Sequence, residues 1–73
     1  MPEEEKERLE TLMAPFGREV RLDEVRFESG MRLLRVTIRE GRRITILDVD
    51  AKTALAWARA MQLWGERETE RER

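Results

Sequence analysis

Between Arg18 and Asp48 apolar residues recur at every second position, and two breaks rich in turn-formers, Ser29-Gly30 and Glu40-Gly41, divide the stretch into three runs. A period of two lines one face of a pleated strand, so the pattern predicts a three-stranded antiparallel meander with strands at about 18–28, 31–39 and 42–48. The second strand places Leu34, Val36 and Ile38 on one face, and the third offers Ile44 and Ile46. A three-residue loop of Arg39, Glu40 and Gly41 sets Val36 opposite Ile44 and Leu34 opposite Ile46. In the first strand Val20 and Leu22 fall on even positions, whereas Val25 and Phe27 fall on odd ones. Either the strand breaks there or it carries a bulge, and the bulge is favoured. With Ser29-Gly30 as a two-residue turn Val25 faces Leu34, and one extra residue near Asp23-Glu24 puts Leu22 opposite Val36 and Val20 opposite Ile38, all on one inner face.

The period lengthens on either side of the meander. Leu9, Leu12, Met13 and Phe16 follow helical spacing, which predicts an amphipathic helix over residues 3–14 that stops before Pro15 and reverses at Gly17. Asp50 reads as the N-cap of a C-terminal helix from Ala51 to about Trp64. On that helix Ala54, Trp57, Ala58 and Met61 form one stripe, flanked by Leu55 and Trp64, which is expected to cover the inner face of the sheet. Ala56, Ala60 and Leu63 lie on a further side, where small residues at i and i+4 allow close approach of another helix, either the N-terminal one through Leu9, Leu12 and Met13 or the same helix of a second subunit. The tail at 66–73 alternates in charge without apolar residues and is expected to fray or be disordered. The fold class expected is α+β, within a single small domain over residues 1–73.

Length and charge sharpen the functional reading. A chain of 73 residues buries only about 60% of the surface its unfolded form exposes, so its core is thin. With no Cys and no His, it lacks disulfides, thiolate chemistry, the commonest general base and the commonest metal ligand, and self-association is the remaining way to enlarge the core. The 15 basic and 16 acidic residues nearly cancel, which gives no global attraction to nucleic acid or membrane. No apolar run approaches a membrane span and the N-terminus is acidic, so a cytoplasmic location is expected. Asn is absent and Gln62 is the single Gln, while ion-pairing groups abound; this points to a thermophilic source, although Arg enrichment also follows a GC-rich genome.

Candidate sites follow from these elements. The outer sheet face is expected to carry Arg21, Arg26, Arg35, Arg39 and Arg43, with Glu19 opposite Arg39 and Glu24 opposite Arg35 as ordinary cross-strand pairs. The same face holds Leu33 and Leu47, an apolar pair with no partner inside the chain. Arg42 and Arg43 at a hairpin tip read as a solvated tip rather than a phosphate grip. Asp48 and Asp50 do not make up a cation shell, since Asp50 has a sufficient role as a cap and no further oxygen ligands follow, so neither metal nor cofactor is expected.

The segments Gly17-Arg-Glu-Val, Val25-Arg-Phe, Leu34-Arg-Val-Thr-Ile and Ile44-Thr-Ile-Leu-Asp48, followed by the helix, resemble the N-terminal domain of bacterial ribosome maturation factors over about residues 6–63. Arg43 stands before Ile44 where that family tends to have Gly. The resemblance implies a helix, strands and a second helix in that order, and a role in ribosome assembly. The chain also resembles a small uncharacterised bacterial family, which implies no activity. The residues themselves favour a non-enzymatic, homo-oligomeric protein–protein interaction module, a dimer first, with Ala56, Ala60, Leu63, Leu33 and Leu47 as interface candidates. The alternative is an RNA or ribosome-assembly binder that uses Arg21, Arg26, Arg35, Arg39 and Arg43.

Overall fold

The structure, a computed structural model, describes residues 4–72; Glu3 at the start of the expected first helix and Arg73 at the end of the tail lie outside them. Four strands, β1 (Glu4–Ala14), β2 (Arg18–Phe27), β3 (Arg32–Glu40) and β4 (Arg43–Val49), form one antiparallel sheet in sequence order, and α1 (Ala51–Arg71) follows. The α+β class stands, but the sheet has four strands rather than three and the expected N-terminal helix is β1.

The difference at β1 has a physical explanation. Leu9, Leu12 and Met13 satisfy helical spacing, but a bulge at Leu9, between Arg8 and Glu10, lets the same residues serve a strand. Non-local pairing then outweighs local spacing: β1 closes the free edge of β2, and its charges find partners there and beyond, Arg8 with Asp23, Glu7 with Arg26 and Glu4 with Arg35. Pro15–Gly17 makes the turn, with Phe16 at φ 67°, a left-handed conformation uncommon for a bulky residue.

Both hairpin loops differ in length by a residue from expectation, and the pairing slips by one residue in the first hairpin and by three in the second, each an odd shift that moves side chains between faces. Phe27 donates its N–H to Met31 and accepts from Gly30, so the β2–β3 loop is Glu28-Ser29-Gly30, with Gly30 at φ +94° in the left-handed position of a three-residue hairpin. The β3–β4 loop is Gly41-Arg42, with Gly41 at φ +60°, as a two-residue hairpin with glycine first requires. Leu22 does face Val36 and Val20 faces Ile38, but Val25 faces Leu33, Leu34 faces Glu24 and Val49, and Val36 faces Leu47. No bulge is needed in β2, because Val25 and Phe27 turn to the outer face instead.

The inner face therefore gathers Leu12, Val20, Leu22, Leu34, Val36, Ile38, Leu47 and Val49 across all four strands. On the outer face Val25, paired across the strands with Lys6 and Leu33, is fully buried. Ile44 and Ile46 project outward, against expectation.

Asp50 caps α1 as expected: its Oδ1 accepts from the Thr53 N–H at 2.8 Å. The helix runs on past Trp64 to Arg71, steadied by Gln62 donating to Glu66 and by Arg71 beside Glu68. It does not cover the sheet as expected. Contact centres on its start, where Ala51 shares a groove with Leu34, and every residue from Leu55 to Trp64 is exposed. The connection is the reason. Asp50 alone joins β4 to the helix, with an extended backbone at φ −83° and ψ 173°, a connection shorter than the about two to six residues common between a strand and a packed helix. The molecule is consequently 52 Å long, more than the roughly 32 Å of a 21-residue helix alone.

Candidate interaction surfaces

Among the uncovered apolar surfaces of the chain, two are a sheet face and a helix stripe that could stack on each other. One is the inner sheet face, where Leu12 and Leu47 are about half exposed at 48% and 47%. The other is α1, whose Leu55, Met61, Leu63 and Trp64 are all at least 60% exposed. The short connection at Asp50 lies between them, and α1 meets the sheet only near its start.

The five expected interface residues are distributed accordingly. Ala56, Ala60 and Leu63 line a shallow groove along α1 together with Leu55 and Arg59. Leu47 belongs to the inner face opposite Val36, while Leu33 stands on the outer face opposite Val25, so they are not the outer-face pair that the pattern suggested.

The expected arginine face is divided in the same way. Arg21, Arg35 and Arg39 point outward, whereas Arg26 and Arg43 share the inner side. Arg21 donates to Glu19 at 2.7 Å, Arg26 lies between Glu7 and Glu24, and Arg35 is held by Asp48 and Glu4. Glu19 stands opposite Arg39 as anticipated, but Arg35 faces Asp23 rather than Glu24.

That outer row is the most ordered polar feature of the sheet. Arg8, Asp23, Arg35 and Asp48 occupy one line across β1, β2, β3 and β4 with alternating charge. Asp23 is buried and accepts from Arg8 Nε. Arg35 donates Nε and Nη2 to the two carboxylate oxygens of Asp48 and Nη1 to Glu4 Oε1. Hydrogen bonding from Arg35 holds the Asp48 carboxyl below the usual range, and the Asp48 hydrogen bonds raise the Arg35 guanidinium in turn. Sequence reading missed this row because its alternation appears only once all four strands are in register.

Among the described residues no cluster of three or more His, Cys, Asp and Glu side chains could hold a metal ion, and no helix is long and apolar enough to cross a membrane. Asp48 and Asp50 are engaged separately, one by Arg35 and one by Thr53. No curated protein and no solved structure matches the chain. The resemblance to ribosome maturation factors gains no support from these comparisons, whereas that to an uncharacterised family does. A model for a family of unknown function, DUF6967, matches residues 3–67, and the chain belongs to that family.

Proposed function

We propose that the chain is a cytoplasmic, non-enzymatic module for self-association, working as a homodimer built on the uncovered faces of its sheet and helix. The observation that carries this reading is surface area. A folded monomer of 8.7 kDa exposes about 4,700 Å², whereas this chain exposes 6521 Å². The surplus of about 1,800 Å² per chain exceeds the roughly 800 Å² per partner of a standard interface, and doubled for two chains it falls within the obligate homodimer range of about 2,000–5,000 Å². Its radius of gyration, 14.8 Å against about 11 Å for a compact chain of this length, agrees.

The linked ion pairs of the outer row also favour stability at high temperature, in keeping with a thermophilic source. The RNA-binding alternative is weakened, because its five arginines are split between faces and three of them are paired with carboxylates.

Light scattering over a wide concentration range tests the reading. A mass of two chains that persists on dilution is expected; a monomer throughout would overturn it.

A further inference from the structure

We infer that the occupant of the inner sheet face is α1 of a second copy, so that two chains exchange their helices. The inference rests on the self-association proposed above and specifies how it is built.

Three observations converge. First, one chain carries both halves of a missing layer pair. Domains close by stacking two layers around a core, and here an apolar sheet face and an apolar helix stripe are present but unstacked. Second, the single connecting residue, Asp50, keeps α1 off its own sheet while presenting it to a neighbour. Short connections of this kind favour exchange between copies over closure within one. Third, the surfaces match in size. The apolar length of α1 from Ala54 to Trp64 spans about 16 Å, and four strands spaced at about 4.8 Å span about 14 Å.

A two-fold exchange also accounts for the helix being apolar over more than one stripe. The stripe containing Trp57 and Met61 meets the partner's sheet around Val36 and Leu47. The side containing Ala60 and Leu63 faces the partner's helix across the axis, where the small Ala60 permits close approach. Contacts across such an axis are self-complementary, so one chain supplies every surface required.

The absence of cysteine makes the test direct. Dimers of chains carrying Val36→Cys, dimers of chains carrying Met61→Cys, and mixed dimers obtained by co-expressing the two with different tags are each treated with a short thiol crosslinker. Sheet-to-helix crosslinks between chains are expected to dominate. A dimer joined mainly through Val36→Cys pairs would indicate stacked sheets, one joined through Met61→Cys pairs would indicate helix pairing alone, and either overturns the exchange while leaving self-association standing. A second variant, with the native side chains intact, inserts a four-residue Gly-Ser linker between Asp50 and Ala51. It is expected to become a monomer of unchanged helicity as α1 folds back onto its own sheet; an undiminished dimer would overturn the exchange. A native chain that is monomeric would remove both readings together.

Discussion

Arg35 grips Asp48 with two parallel hydrogen bonds, Nε to Oδ1 at 2.8 Å and Nη2 to Oδ2 at 2.9 Å, tying β3 to the edge strand β4. The fork geometry fixes both side chains, and Glu4 reaches Arg35 from β1, so three strands meet at one guanidinium. Its contribution depends on Asp48 remaining ionised.

The Asp48 carboxyl is depressed in the folded chain, so its contribution is fully present above the unfolded value of about 4 and is lost as the pH falls through the lower folded value. Asp48→Asn is expected to lower the melting temperature at neutral pH and to flatten its decline under acid conditions. Arg35→Ala should cost about 1–2 kcal/mol, below the value of a fully buried charged pair because both side chains are partly solvated. Thermal melts across the acid range check both; an unchanged acid slope in Asp48→Asn would assign the sensitivity elsewhere.

At the helix start, Asp50 is also depressed, chiefly by its hydrogen bond with Thr53. Stabilisation of the first turn is therefore present above about pH 4 and fades below it. Asp50→Ala should reduce the far-UV helical signal, while Asp50→Asn keeps an acceptor for the Thr53 N–H and should retain helicity with a weaker acid response. Equal helicity in all three proteins would mean that the cap does not govern α1.

The turns offer a pair of opposite expectations. Gly30, at φ +94°, occupies a conformation that an added Cβ disfavours although the space around it is open, so Gly30→Ala should destabilise by about 1 kcal/mol. Phe16, at φ 67° and 89% exposed, already bears such a cost. Phe16→Asn should stabilise by about 0.5–1 kcal/mol, since Asn tolerates the left-handed region better. Denaturant midpoints measure both, and destabilisation by Phe16→Asn would show that the ring contributes more than its strain, for instance through Arg18, 5.7 Å from the ring centre.

What was legible in the sequence was the part encoded locally. Alternation marked β2, β3 and β4 near their observed bounds, and Asp50 marked the start of α1, because each signal lies within the element it defines. Register was less legible, since Ser29-Gly30 suits a two-residue or a three-residue loop equally well and the difference transfers Val25 to the other face. The identity of β1 depended on Asp23 and Arg26, more than ten residues away in sequence, and on a bulge at Leu9 that mimics helical spacing. Of the interface candidates, Ala56, Ala60 and Leu63 share one side of α1 as the helical period required, whereas Leu33 and Leu47 were parted by the altered registers.

Two of those three helix residues allow the contact surface to be tested directly. Ala60 and Leu63 are exposed within the chain, so a charge there meets solvent in the monomer and leaves the sheet untouched. In a dimer the same charge would be buried against apolar surface without a partner, which disfavours association specifically. Ala60→Glu and Leu63→Glu should each weaken dimerisation by roughly tenfold or more, the effect of losing about 1.4 kcal/mol, while far-UV spectra remain unchanged. Lys52→Glu, on the polar arc of the same helix and outside the groove that Ala60 and Leu63 line, serves as the control and should have a smaller effect. Sedimentation at several concentrations separates these cases. Equal weakening by all three would indicate a general charge effect, whereas selective loss at Ala60 and Leu63 would identify that side of α1 as contact surface.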